Sequence, residues 1–228
     1  MKLSSILLSA FFIINLCSAL DDDNLQDTCP AAPPSGLRPL FINGFPCKSP
    51  FNVTASDFKS SKLSHPGDTR NFLRSSTAIA TAADFPGLNT LGLAVARTDV
   101  EVGGLVAPHT HPRASEMFFL EKGSVIVGFI DTGNVIFQKR INAGDVFVFP
   151  RGLLHFCLNS GIESATAYSV LNSQNPGLLS ISGSVFSPED SEMAEKLKRR
   201  FVALAAAEMG RIESTTSLFG LEDTGNLI

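Results

Sequence analysis

The chain has 228 residues, of which 44% are hydrophobic and 18% charged, with a formal net charge of −4. That length builds one well-buried domain, and the balance of apolar and charged residues excludes a disordered chain. The mildly acidic charge and the absence of a basic cluster argue against nucleic acid as a partner.

Met1 and Lys2 precede the mostly apolar run Ile6 to Leu16, and Cys17-Ser18-Ala19 follows it. A charged start, an apolar stretch and small residues at the end make a secretory signal peptide over residues 1–19, with cleavage expected after Ala19 or Leu20. The run is too short for a membrane anchor, and no other stretch approaches ~18 consecutive apolar residues, so no membrane span is expected. Cleavage removes Lys2 and Cys17 and leaves the charge one unit more negative. An exported chain meets an oxidising compartment, where Cys29 and Cys47 are expected to form a disulfide. A loop of that length contributes roughly 3 kcal/mol in the chain-entropy model. Asn52-Val53-Thr54 is the one Asn-x-Ser/Thr sequon and marks Asn52 for N-glycosylation.

Residues 20–50 are rich in Pro and Asp and read as an irregular extension pinned by the disulfide. Residues 54–62 predict a short helix. Residues 63–90 read as loop, with turn signals at Pro66-Gly67 and Pro86-Gly87. From residue 90 short strands are predicted: Leu91 to Val100, Ser115 to Glu121, Ser124 to Asp131, Val135 to Ile141, Asp145 to Phe149, Leu154 to Leu158 and Ser164 to Leu171. Gly, Asn and Pro punctuate them evenly, which suggests an antiparallel sandwich or barrel. After Pro176 the pattern becomes helical. Ser187-Pro188-Glu189-Asp190 has the form of a helix start. Met193, Leu197, Phe201 and Leu204 recur at helical spacing, Glu195 and Arg199 form an i,i+4 pair, and Gly210 is the expected terminal cap. Such a helix packs on the core or on another subunit, and residues from about Glu213 to Ile228 are expected to be loose.

Three of the four histidines fall in two glycine-bounded blocks. Pro108 and Pro112 flank His109 and His111 and exclude a helix there. In an extended strand, residues two apart face the same way, so the two imidazoles converge as a shared metal requires. Glu116 offers an oxygen ligand from the next strand, and His155 opens a strand in the second block. The fourth histidine, His65, has no partner in either block and reads as a surface residue.

The first block fits G-x5-H-x-H-x4-E-x6-G from Gly103 to Gly123, and the second fits G-x5-P-x-G-x2-H-x3-N from Gly144 to Asn159. Both resemble the two cupin motifs without departure. Gln26-Asp-Thr-Cys-Pro and Asn43-Gly-Phe-Pro-Cys-Lys resemble the N-terminal signature of germins and germin-like proteins. The resemblance implies a mainly β fold: a jelly-roll barrel over residues 63–175, a disulfide-pinned extension over 20–62 and a C-terminal helical extension over 176–228. It implies metal ligands His109, His111, Glu116 and His155, with manganese, Mn(2+), as the ion. It also implies an extracellular glycoprotein of the plant apoplast or cell wall. Its copies would assemble as a homo-oligomer, a hexamer made as a trimer of dimers.

Three neutral imidazoles and one carboxylate leave a divalent site with a net charge of about +1 and open positions for a small anionic or oxygen-derived substrate. The ligand types alone also suit zinc, copper, iron or nickel, so manganese rests on the resemblance. Superoxide dismutation fits such a site, with a role in plant defence. Oxalate oxidation fits less well. Oxalate-oxidising germins carry Asn side chains three and thirteen residues before the first ligand histidine, where this chain has Val106 and Ala96. The other function implied is non-catalytic: a wall or receptor-type protein, auxin-binding for example, with a structural metal. Cys157, two residues after His155, faces the interior in a regular strand and reads as a small buried apolar residue rather than a redox thiol.

Overall fold

The computed structural model describes residues 27–33, 44–181, 183 and 192–218. The expected leader, the helix start at Ser187 and the chain beyond 218 lie outside them.

Ten strands are present: β1 (Ser75–Ala80), β2 (Ala94–Val100), β3 (Leu105–Thr110), β4 (Glu116–Lys122), β5 (Ser124–Ile130), β6 (Ile136–Asn142), β7 (Val146–Phe149), β8 (Leu154–Leu158), β9 (Ala165–Leu171) and β10 (Leu179–Ser180). They form two five-stranded antiparallel sheets, in the orders β1-β2-β9-β4-β7 and β10-β3-β8-β5-β6. Along β5 alternate residues face inward, with Val125 and Val127 fully buried. The core takes Val100, Phe118, Leu120, Phe149 and Ala165 from one sheet and Val125, Val127, Ile141 and Cys157 from the other. Both sheets therefore close over one interior.

Two strands were not expected: β1 lies in the stretch read as loop, and β10 in the stretch read as helical. β1 reads Ser-Ser-Thr-Ala-Ile-Ala, too small and polar to signal a strand, yet all six residues pair in register with β2. Pairing with a neighbour decides the outcome over intrinsic preference. β10 is two residues long and pairs with His109 and Thr110 of β3. The helix expected over 54–62 shrinks to one 3-10 turn, Ala55–Phe58, held by reciprocal capping between Thr54 and Asp57. A single helix, α1 (Glu192–Leu218), is described. It does not stop at Gly210. Glycine inside a helix is unfavourable by only about 1 kcal/mol relative to Ala, and the helix runs through it. The Glu195–Arg199 pair forms at 3.1 Å. Leu197, Phe201 and Leu204 remain exposed, so nothing among the described residues covers the apolar stripe. Among those residues no helix is long and apolar enough to cross a membrane.

Cys29 and Cys47 are disulfide-bonded, as expected for an exported chain. What fastens this pinned segment to the barrel is Asn89, which the sequence did not single out. Its side chain is wholly buried. Nδ2 donates to the carbonyls of Cys29 (3.0 Å) and Phe45 (2.9 Å), and Oδ1 accepts from the Phe45 amide at 2.9 Å. On the outer face of β2, Arg97 and Asp99 form a forked ion pair, and Asp99 also accepts from the Gly67 amide and the Thr166 hydroxyl.

Replacing Asn89 by Ala strands these buried groups. The expected loss is about 2–3 kcal/mol, the scale for leaving buried donors and acceptors unpaired. It should appear as a lower denaturant midpoint and faster proteolysis of the segment before residue 50. An unchanged midpoint would show that the latch is not stabilising.

Candidate metal centre

The glycines that define the two histidine blocks are there for the backbone. Gly103, Gly123, Gly144 and Gly152 have φ of 71°, 90°, 97° and 76°, the left-handed region that residues with a Cβ avoid. A Cβ on Gly123 would also stand 2.9 Å from that of Ala165. The last motif residue, Asn159, is structural too. It is wholly buried, donates to the carbonyls of Val100 and Glu163, and accepts from the Gly161 amide at 2.9 Å.

These turns deliver the four predicted side chains to one place. The donor atoms of His109, His111, Glu116 and His155 all lie within 4.8 Å of one another. β3 pairs with β8 so that His109 stands opposite His155, with a register shift between Val106 and His109. Pro108 sits in that shift and needs no ladder hydrogen bond there. His111 lies just past the end of β3, its ring centroid 5.3 Å from that of His109. Glu116 begins β4 in the facing sheet.

Each imidazole is held by a backbone carbonyl. Nδ1 of His109 bonds Ala107 O at 2.9 Å, Nδ1 of His155 bonds Leu153 O at 2.9 Å, and Nδ1 of His111 bonds Gly177 O at 2.5 Å. A carbonyl only accepts, so each Nδ1 keeps its proton and each ring, in its neutral form, presents the Nε2 lone pair. This is the tautomer that a metal ligand needs. Nε2 of His111 and of His155 each lie 3.4 Å from Glu116 Oε2. Among the described residues, Glu116 Oε2 and His155 Nε2 are buried without a hydrogen-bond partner. A divalent cation answers both, so the donor set fits one.

Burial, reinforced by the neighbouring His155, pushes the His109 imidazole down to about 4, which keeps it neutral at physiological pH. Burial pushes the Glu116 carboxyl up, but the contacts from His111 and His155 outweigh it and hold the group below its ordinary 4.5. The centre thus offers lone pairs and a negative charge.

The donors line a cavity of about 210 Å³. Both positions flagged for oxalate contacts, Val106 and Ala96, lie in its wall with Ile79, Leu171 and Leu178. Cys157 faces the cavity as predicted, buried, with its thiol pushed up to about 12 by burial and by Glu116. His65 is exposed and distant in sequence from these blocks. The residue that sequence reading missed is Gly177. Its carbonyl orients His111 across 66 positions, and no periodicity or motif marks a carbonyl acceptor.

A family model described as Cupin matches residues 61–203. Germin-like protein 11-1 of Oryza sativa subsp. japonica is 52% identical over 219 residues, covering 95% of this chain and 97% of that protein. Germin-like protein subfamily 3 member 4 of Arabidopsis thaliana is 57% identical over 182 residues, covering 77% of this chain and 85% of that protein. Among solved structures, a recombinant oxalate oxidase in complex with glycolate is 35% identical with a TM-score of 0.71, covering 79% of this chain and 92% of that one.

The Cys157 thiol titrates far above neutrality, so it stays protonated and unreactive while the barrel is closed. Native protein at pH 8 should not react with a thiol reagent, and unfolding without reductant should release a single reactive thiol. Rapid labelling of the native protein would overturn the structural assignment of Cys157.

Proposed function

The chain belongs to the cupin family as a germin-like protein, and on that footing we propose that it is a secreted manganese protein of the plant apoplast that dismutates superoxide and does not oxidise oxalate. One observation carries the reading: a complete three-histidine, one-carboxylate donor set opens on a wall whose side chains at Val106 and Ala96 have no polar atom. A redox-active divalent ion held by His109, His111, Glu116 and His155 would supply the alternate acceptance and donation of an electron that turns two superoxide ions and two protons into dioxygen and hydrogen peroxide. The protein's share is to hold three neutral imidazoles by their Nδ1 protons and to provide one negative charge. The net charge near +1 that results draws a small anion inward. A dicarboxylate needs hydrogen bonds along its length, and a pocket with no donor side chain at positions 96 and 106 loses discrimination by several kcal/mol.

The disulfide and the germin-like relatives support an extracellular location. Asn52 is exposed on a short turn beside the disulfide segment, which suits a glycan. The uncovered apolar stripe of α1 suits a subunit contact, in keeping with a hexamer assembled as a trimer of dimers.

The test is made on protein secreted from a eukaryotic host, with metal content, superoxide consumption and oxalate turnover measured on the same sample. Manganese close to one per chain, superoxide activity lost on chelation and restored by manganese, and no peroxide from oxalate are expected. Chelation should also lower the melting temperature, because it leaves buried donors unpaired. Oxalate turnover would sink the specificity argument. Full manganese occupancy without superoxide turnover would leave the metal structural and the protein a non-catalytic wall or receptor-type one.

A further inference from the structure

Four buried side-chain atoms lack a hydrogen-bond partner among the described residues: Thr110 Oγ1, Glu116 Oε2, His155 Nε2 and Ser169 Oγ. A cation at the candidate centre accounts for the carboxylate oxygen and the imidazole nitrogen. It does not account for the hydroxyl of Ser169, which has a proton to donate. Ser169 is 1% exposed, and a buried hydroxyl left unpaired is unfavourable by about 1–3 kcal/mol. The inward residues of β9 are Ala165, Ala167, Ser169 and Leu171. An alanine at the third of these positions would continue the pattern and carry no such penalty.

The strand register shows what the hydroxyl faces. β9 lies between β2 and β4, and Ser169 stands opposite Ala96 on one side and Phe118 on the other. Neither side chain can accept a hydrogen bond. Glu116 is the next inward residue of β4 beyond Phe118 and pairs with Leu171, so it is the diagonal neighbour of Ser169 on the same face. Diagonal neighbours on one face are within reach of long side chains. A carboxylate that gives one oxygen to a cation keeps a second oxygen with free lone pairs, and such second contacts fix how a ligand is presented.

We propose that Ser169 is the positioning residue of this centre: in the metal-loaded protein its hydroxyl donates to the Glu116 oxygen not used by the cation, and holds the carboxylate as a one-oxygen ligand. The proposal rests on the metal reading above. Ser169 touches neither substrate nor cation and acts only through Glu116.

The Ser169→Ala variant separates this role from a packing role. In the metal-free full-length protein it should be at least as stable as the parent, since a buried unpaired hydroxyl is removed. Its affinity for manganese(II), measured by competition with a fluorescent chelator, should fall about tenfold to a hundredfold, the range for loss of such a supporting contact. The electron paramagnetic resonance spectrum of the bound ion should change as the carboxylate loses its fixed orientation. Unchanged affinity and spectrum in Ser169→Ala would overturn the proposal. So would a metal-free variant that is markedly less stable than the parent, because the hydroxyl would then serve the fold. If the parent itself takes up no manganese or other divalent ion, the metal reading fails first and takes this proposal with it.

Discussion

The candidate metal centre depends on three backbone carbonyls. Ala107, Leu153 and Gly177 each occupy the Nδ1 side of one histidine, so three Nε2 lone pairs point at one place before any ion arrives. Two of these contacts are local. His109 and His155 each bond the carbonyl two residues before them, a relation their own strand ends can set. The third is long-range, because Gly177 follows β9 and precedes β10, far from His111 in sequence. A disturbance at Pro176 to Ser180 would therefore reach the centre through the orientation of His111, although that segment contributes no ligand.

Electrostatics reinforces the argument from geometry. Glu116 is buried and ionised, and a buried carboxylate needs a counter-charge. His109 does not supply it, since burial holds its ring neutral at physiological pH; His111 is shifted the other way, because Glu116 and the Gly177 carbonyl outweigh its burial and push it up. A cation shared by the four donors neutralises the carboxylate and uses the lone pairs together. Phe149, stacked on His155 at 4.5 Å between ring centroids, closes the side of the site toward the core. Phe118, Phe149 and Cys157 belong to the core and to the cavity wall alike, so packing that stabilises the barrel also shapes the site.

Much of this was legible in the amino-acid sequence, for identifiable reasons. Histidines at fixed spacing on a strand carry their geometry with them, because period-two alternation decides which side chains share a face. The motif glycines were legible for the same kind of reason, since each marks a positive φ. β1 was not legible: a small, polar strand is made by its partner β2 and has no signal of its own. Nor was the Asn89 latch, because an asparagine becomes a buried hub only when Cys29, Phe45 and residue 89 meet in three dimensions. The end of α1 was misread because one glycine weakens a helix without stopping it. Gly177 escaped notice because its contribution is a carbonyl, which every residue has.

The distribution of satisfied and unsatisfied polar groups locates the site without reference to any motif. Away from the cavity, Thr110 Oγ1 is the one unpaired atom among the described residues, and the other buried groups are well supplied: Asn89 makes contacts to Cys29 and Phe45, Asn159 to Val100, Glu163 and Gly161, and Asp99 to Arg97, Gly67 and Thr166. At the cavity they are not. Glu116 and His155 end in bare donor atoms, and Ser169 stands diagonal to the carboxylate. A folded chain pairs nearly all its buried polar atoms, and exceptions call for a reason. When the exceptions collect around four convergent ligands, while the same chain satisfies equally buried groups elsewhere, the simplest reason is a partner from outside the polypeptide. An ion fills that role for the nitrogen and the carboxylate oxygen. The hydroxyl of Ser169 is then explained by what the ion does to Glu116.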